Sequence, residues 1–146
     1  MATLDEILEM WETDSQIDDN HLDQSSSNSP KLHSKYIRLL AEAKLKYTKL
    51  NIDYATLRKN KFRYYRGEMS REELSELGWN QWQGNKPIKS EMDEFLKGDV
   101  ELMKIQSRID YLKIMIETLE SIMTEIRNRA WTIKNSIAWK QFLAGG

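Results

Sequence analysis

From Asp99 onward, apolar residues return at alternating spacings of three and four: Leu102, Ile105, Ile109, Leu112, Ile116, Leu119, Met123 and Ile126, then Ala130, Ile133 and Ile137. Only a helix brings such positions onto one stripe, and a sustained repeat of this kind lets the stripe drift into a left-handed seam that needs partner helices. Met103, Ile114, Met115 and Ile122 add apolar surface beside the seam. One partner helix does not cover that width, so packing on several sides is expected, within the chain or between chains. Asp99 is placed to cap the start of this helix.

A second, looser seam precedes it over residues 30–66: Tyr36, Leu40, Ala43, Tyr47, Leu50, Tyr54, Leu57 and, after a gap, Tyr64. Pro30 suits a first helical position, Ser29 an N-cap, and Gly67 a left-handed C-cap, so both ends are marked. The stretch carries Lys31, Lys35, Arg38, Lys44, Lys46, Lys49, Arg58, Lys59, Lys61, Arg63 and Arg66 against Glu42 and Asp53, a net charge of +9. Lys61 falls on the seam itself, where packing alone calls for an apolar side chain.

The remaining segments are shorter. Thr3 with Glu6 forms a capping box ahead of Leu4, Ile7, Leu8 and Trp11, one face of an acidic helix. Beyond it periodicity fades, and Ser25, Ser26, Ser27, Asn28 and Ser29 predict a flexible polar stretch pinned by Ile17 and Leu22. After the basic helix, Ser70 with Glu73 is a second capping box, closed by Gly78. Residues 79–90, with Trp79, Trp82, Gly84 and Pro87, predict a loop, its tryptophans serving either as stacking platforms or as plugs in a core edge. Ser90 with Asp93 predicts a short helical turn interrupted at Gly98. No strand alternation and no longer repeat is present. The sequence therefore predicts an all-α fold of two long heptad-patterned helices in antiparallel arrangement plus short helices. Its parts are residues 1–30 (acidic helix and Ser-rich linker), 31–98 (basic helix and irregular middle) and 99–146 (C-terminal oligomerisation helix or helices).

Charge is segregated. Residues 1–30 hold eight acids and no lysine or arginine, so the formal net charge of −1 conceals a basic stripe with its own acidic counter-segment. The acidic arm either folds over the basic helix and competes with an anionic ligand or stands as a solvated tail. With no cysteine and only His21 and His33, no metal or cofactor site is expected. The absence of a membrane-length apolar run and of a basic leader predicts a soluble, unexported protein with no membrane partner. No glycine-rich phosphate loop precedes a Gly-Lys-Ser/Thr, no nucleophile sits beside an evident base, and the carboxylates lie at helix starts and exposed faces. An enzyme is not expected.

The most informative constellation is Arg58, Lys59, Lys61, Arg63 and Arg66 interleaved with Phe62, Tyr64 and Tyr65. Cations neutralise phosphates and release counterions, and aromatic rings stack on any base, which together suit single strands. Arg58, Lys59, Lys61, Arg63, Tyr65 and Arg66 are therefore the candidate nucleic-acid contacts, provided the cluster opens to solvent. The alternative is that the aromatics pack in the core and the cations form a solvated face.

These residues also carry a resemblance. Leu4, Ile17-Asp18, Ser34-Lys35-Tyr36, Lys59-Asn60-Lys61, Tyr64-Tyr65 with Gly67, Lys89-Ser90-Glu91-Met92, Asp99 and the run from Ala130 to Lys134 resemble, in order and spacing, the UvsY family of recombination mediators of T-even-type bacteriophages. The resemblance implies single-stranded DNA binding, closed homo-oligomeric rings of six or seven subunits, and loading of the phage recombinase in place of the phage single-strand-binding protein. It implies the cytoplasm of the infected bacterial host as the place of action. The family's DNA-contact motif, a lysine and then an arginine before a tyrosine pair, falls on Lys59 and Lys61. The second position keeps its charge but loses the planar fork, which Arg63 and Arg66 are expected to offset. Residues 68–86 are longer than the family pattern. Assembly in the family depends on the C-terminal region, so Leu102, Ile105, Ile109, Leu112, Ile116, Leu119, Met123 and Ile126 are the expected oligomerisation residues. The competing reading is a helical coiled-coil scaffold or adaptor without nucleic-acid binding, its basic stripe paired only with its own acidic arm.

Overall fold

A computed structural model describes residues 1–145. Among them the chain is all-helical: α1 Leu4–Asp14, α2 Leu22–Ser27, α3 Ser29–Tyr65, α4 Arg71–Leu77, α5 Lys89–Lys97 and α6 Val100–Leu143. The two seams expected from sequence form single helices of 37 and 44 residues, with α6 unbroken past Asn128 and Arg129. Two compact units arise, Met1–Leu45 with Leu112–Gly146, and Lys46–Tyr111. These boundaries cut both long helices.

In the first unit the capping box forms as expected. Thr3 Oγ1 accepts from the Glu6 N–H while the Glu6 carboxylate accepts from the Thr3 N–H, both at 3.2 Å. α1 then seats Ile7, 1 % exposed, which stabilises the docked helix by roughly 1.5–3 kcal/mol. Tyr36 on α3 is fully buried, meets Trp11 edge-on at 5.4 Å, and donates its hydroxyl to Asp14 at 2.8 Å. Lys35 reaches the same carboxylate at 2.6 Å, so the acidic arm does pair with the basic helix at this point.

The Ser-rich stretch differs from expectation. Ser25 to Ser27 lie in α2, and Ser25 is buried with its hydroxyl accepting from the Asp18 N–H at 3.2 Å. Arg129 on α6 donates to the carbonyls of Ser15 and Gln16, both at 3.3 Å, and Lys140 donates to the Asp19 carbonyl. A composition poor in apolar residues is thus ordered through backbone groups, which a reading of hydropathy does not register.

The α6 seam is spent inside the chain. Leu102 and Ile109 are buried in the second unit, and Leu112, Leu119, Met123 and Ile126 in the first, while Ile105 and Ile116 are half-buried. Six of these eight positions are thus buried within the chain itself, and Leu102 packs with Tyr65, Met92 and Leu96. Apolar groups left exposed on the last turns of α6 are Trp131, Ile137, Trp139, Phe142 and Leu143. Lys44 on α3 meets Glu120 on α6 in the first unit, and Lys61 on α3 meets Asp99 ahead of α6 in the second.

In the second unit Tyr65, Met92, Leu96 and Leu102 form a core with Tyr54, Leu57, Phe62, Tyr64, Trp82 and Phe95 against it. α3 ends as expected at Gly67, φ +71°. The Gly67 N–H donates to Tyr64 and the Glu68 N–H to Arg63, both at 3.0 Å, a Schellman closure. Gly78 closes α4 in the same way, with its own N–H bonded to Ser75 and the Trp79 N–H to Leu74. Ser90 does not cap α5: the helix starts one residue earlier, at Lys89, with Ile88 in the N-cap position and no side-chain cap. Asp99 does cap α6, its Oδ1 accepting from the Leu102 N–H at 3.0 Å.

Candidate nucleic-acid interface

The last turns of α3 carry the candidate cations, and helical geometry distributes them around the axis rather than along one face. The six residues read from sequence accordingly divide. Arg58, Lys59 and Arg66 are exposed; Arg63 is half-buried; Lys61 and Tyr65 are buried.

Lys61 is 6 % exposed, and its Nζ lies 3.2 Å from Asp99 Oδ2 and 3.4 Å from Glu101 Oε1. The ammonium also stands over the Trp79 ring at 4.3 Å and the Tyr64 ring at 5.5 Å, close enough for cation–π attraction. Tyr65 donates its hydroxyl to Asp99 at 2.7 Å. Burial alone would raise the Asp99 pKa, but the Tyr65 hydroxyl, the Leu102 N–H and Lys61 outweigh it and hold the carboxyl below its ordinary value. Burial first and the Asp99 bond second push the Tyr65 phenol well above its own. Lys61 and Tyr65, expected to face a strand, thus form a closed network. The polar residue that interrupts the seam is held by two carboxylates and an indole.

Arg63 is bidentate to Glu73, at 2.6 and 3.1 Å, which ties α3 to the first turn of α4. Glu73 is held below its ordinary pKa chiefly by that arginine. Arg58 reaches Asp93 only at 3.5 Å, with both side chains largely in solvent. Lys59 makes no hydrogen bond, ion pair or ring contact among the described residues. Arg66 engages Glu68 through Nε at 3.0 Å and lies over the Phe62 ring, 5.6 Å from its centroid.

Both loop tryptophans belong to the core edge. Trp79 covers Lys61 and meets Tyr64 at 5.3 Å. Trp82 meets Tyr65 edge-on at 4.9 Å and donates its Nε1–H to the Asn85 carbonyl at 3.1 Å. A Cβ on Gly84 would fall 2.4 Å from the Trp82 ring, so glycine there lets the loop pass over the indole.

Two cations that did not belong to the sequence cluster come up beside it. Lys86 crosses Gly67 so closely that a Cβ there would stand 2.9 Å from its Cε. Lys86 and Lys89, with Arg66, Glu68, Phe62, Pro87, Ile88 and Met92, line an open groove. Their sequence distance from the cluster hid them; Gly67, expected as the left-handed C-cap that ends the basic helix, was the available signal. No group of three or more histidine, cysteine or acidic residues able to hold a metal occurs among the described residues.

An all-helical chain with exposed cations at one helix end and an open groove beside them has features of a nucleic-acid-binding protein. Residues 10–146 match the family described as recombination, repair and ssDNA binding protein UvsY, and the chain belongs to that family. It is 23 % identical over 142 residues to recombination protein uvsY of Enterobacteria phage T4, covering 97 % of this chain and 98 % of that one. Crystal structures of the bacteriophage T4 recombination mediator protein UvsY share the fold. One has a TM-score of 0.85 at 22 % identity over 99 % of both chains, and another 0.81 at 20 % identity over 97 % of this chain and 98 % of that one. No described helix is long and apolar enough to cross a membrane.

Proposed function

We propose that the chain is a recombination mediator that binds single-stranded DNA through exposed cations at the end of α3, assembles into a homo-oligomer, and helps load a recombinase in place of a single-strand-binding protein. Family membership supports the class of activity. The observation that carries the contact assignment is the exposure of Arg58, Lys59 and Arg66 while Lys61, Arg63 and Tyr65 are taken by Asp99, Glu101 and Glu73. Lys61 at the second position of the family's contact motif is thus a structural residue here, and the phosphate-facing role passes to its exposed neighbours.

Self-assembly matters to the mechanism. A few exposed cations bind a polyanion weakly at physiological salt, whereas the same cluster repeated on one assembly raises the local concentration and lets the strand wrap. The exposed Trp131, Ile137, Trp139, Phe142 and Leu143 supply an apolar surface for subunit contact, in place of the seam residues.

Fluorescence anisotropy with single-stranded and duplex oligonucleotides across salt concentrations tests the function. Tighter binding of the single strand, falling steeply with salt, is expected. Equal, negligible affinity for both would leave the adaptor reading in place.

A further inference from the structure

We infer that the groove between the end of α3 and the start of α5 is a second contact site for the strand, resting on the single-strand-binding reading above. It takes one nucleotide unit, with the phosphate among Arg66, Lys86 and Lys89 and the base against Phe62. Three cations face this groove against one acid, Glu68, and the acid is already engaged by Arg66 Nε at 3.0 Å. The Nη groups of Arg66 make no hydrogen bond among the described residues, nor do the ammonium groups of Lys86 and Lys89. The donors on this wall are therefore unspent.

The apolar part of the groove is equally specific. Phe62 is half-buried and offers a ring to the lining, backed by buried Met92 and Pro87, and Ile88 is 62 % exposed at the rim. Cations beside a ring, one of them, Arg66, lying over it, match the two halves of a nucleotide, a phosphate and a flat base, and they match a single strand because paired bases offer no free face. α5 begins at this rim without a side-chain cap, so the first N–H groups of the helix add to the favourable field for an anion. Gly67, at positive φ and without a Cβ, lets the Lys86 stem lie against the end of α3.

The full chain carrying Lys86→Ala and Lys89→Ala, both at exposed positions, is titrated with a single-stranded oligonucleotide over a range of salt. In parallel, wild type and Phe62→Leu are compared on the natural strand and on one containing abasic sites. Loss of one to two phosphate contacts lowers the slope of log affinity against log salt by about 0.7–1.4. Wild type is expected to prefer the natural strand over the abasic one, and Phe62→Leu, which keeps the apolar contact to the core but lacks the ring, to lose most of that preference. An unchanged slope in the double-lysine variant overturns the groove; if Lys59→Ala lowers the slope in the same assay, the binding function itself stands. A lowered slope with no preference for the natural strand also overturns it, since the lysines then act as a diffuse anion surface. Unchanged slopes in both variants would remove the groove and the α3 contact assignment together.

Discussion

Lys61 Nζ stands 3.2 Å from Asp99 Oδ2, with the two side chains 8 % and 4 % exposed. A buried ion pair adds little net stability over well-packed apolar groups, because both charges are desolvated, but removing one partner strands the other. Asp99 also caps α6 and accepts from Tyr65, so this one carboxylate ties α3 to the start of α6.

Lys61→Met should therefore destabilise the chain by about 3 kcal/mol, the cost of an orphaned buried carboxylate. Lys61→Met with Asp99→Asn should recover part of the loss, since the amide oxygen still caps α6 while its NH2 donates to the Tyr65 hydroxyl oxygen. Urea unfolding followed by circular dichroism checks both; a double variant less stable than the single would show that the stranded charge is not the source of the cost.

Acid should unfold the chain through the same group. The Asp99 pKa in the folded state is depressed below its unfolded value, since the Tyr65, Leu102 and Lys61 bonds outweigh burial. Its contribution is fully present above the unfolded carboxylate value, about pH 4, and is lost as pH falls through the lower folded value. Asp14, buried in part but held by Lys35 and Tyr36, follows the same sign in the first unit. Stability measured from pH 7 down to pH 2 should fall mainly below pH 4, and Asp99→Asn should flatten that fall. An Asp99→Asn variant with the wild-type acid profile would exclude Asp99 as a contributor.

Assembly should depend on the end of α6 rather than on its seam. Trp139 and Phe142 stack at 5.5 Å, 60 % and 70 % exposed, so replacing both by serine should lower the sedimenting mass while leaving helix content unchanged. Leu112→Asp, at a position 2 % exposed, should unfold the chain instead of merely dissociating it. A folded, fully assembled Trp139→Ser/Phe142→Ser protein would place the subunit contact elsewhere.

What could be read from the sequence was what is local. Thr3, Ser70 and Asp99 announce helix starts and Gly67 and Gly78 helix ends through bonds spanning a few residues, and each does so in the structure. Ser90 misled because the same pattern lies inside a helix that begins at Lys89. The seam positions are legible in the sequence as buried, but the repeat does not say which helix covers them. Lys61 showed as an anomaly on its seam, yet Asp99, Glu101 and Trp79 lie far along the chain and only the fold brings them to it. Lys86 and Lys89 carry no such mark either, since one lies in a loop and the other opens a short helix.

The most direct test of the account compares the salt dependence of single-strand binding for wild type, Lys59→Ala and Lys61→Met, at a temperature where all three are folded. Loss of the exposed Lys59 should lower the slope of log affinity against log salt by about 0.7, one phosphate contact on a single strand, while loss of the buried Lys61 should leave it unchanged. A normal slope for Lys59→Ala together with a lowered one for Lys61→Met would contradict the division of the cluster into exposed contacts and an internal lock.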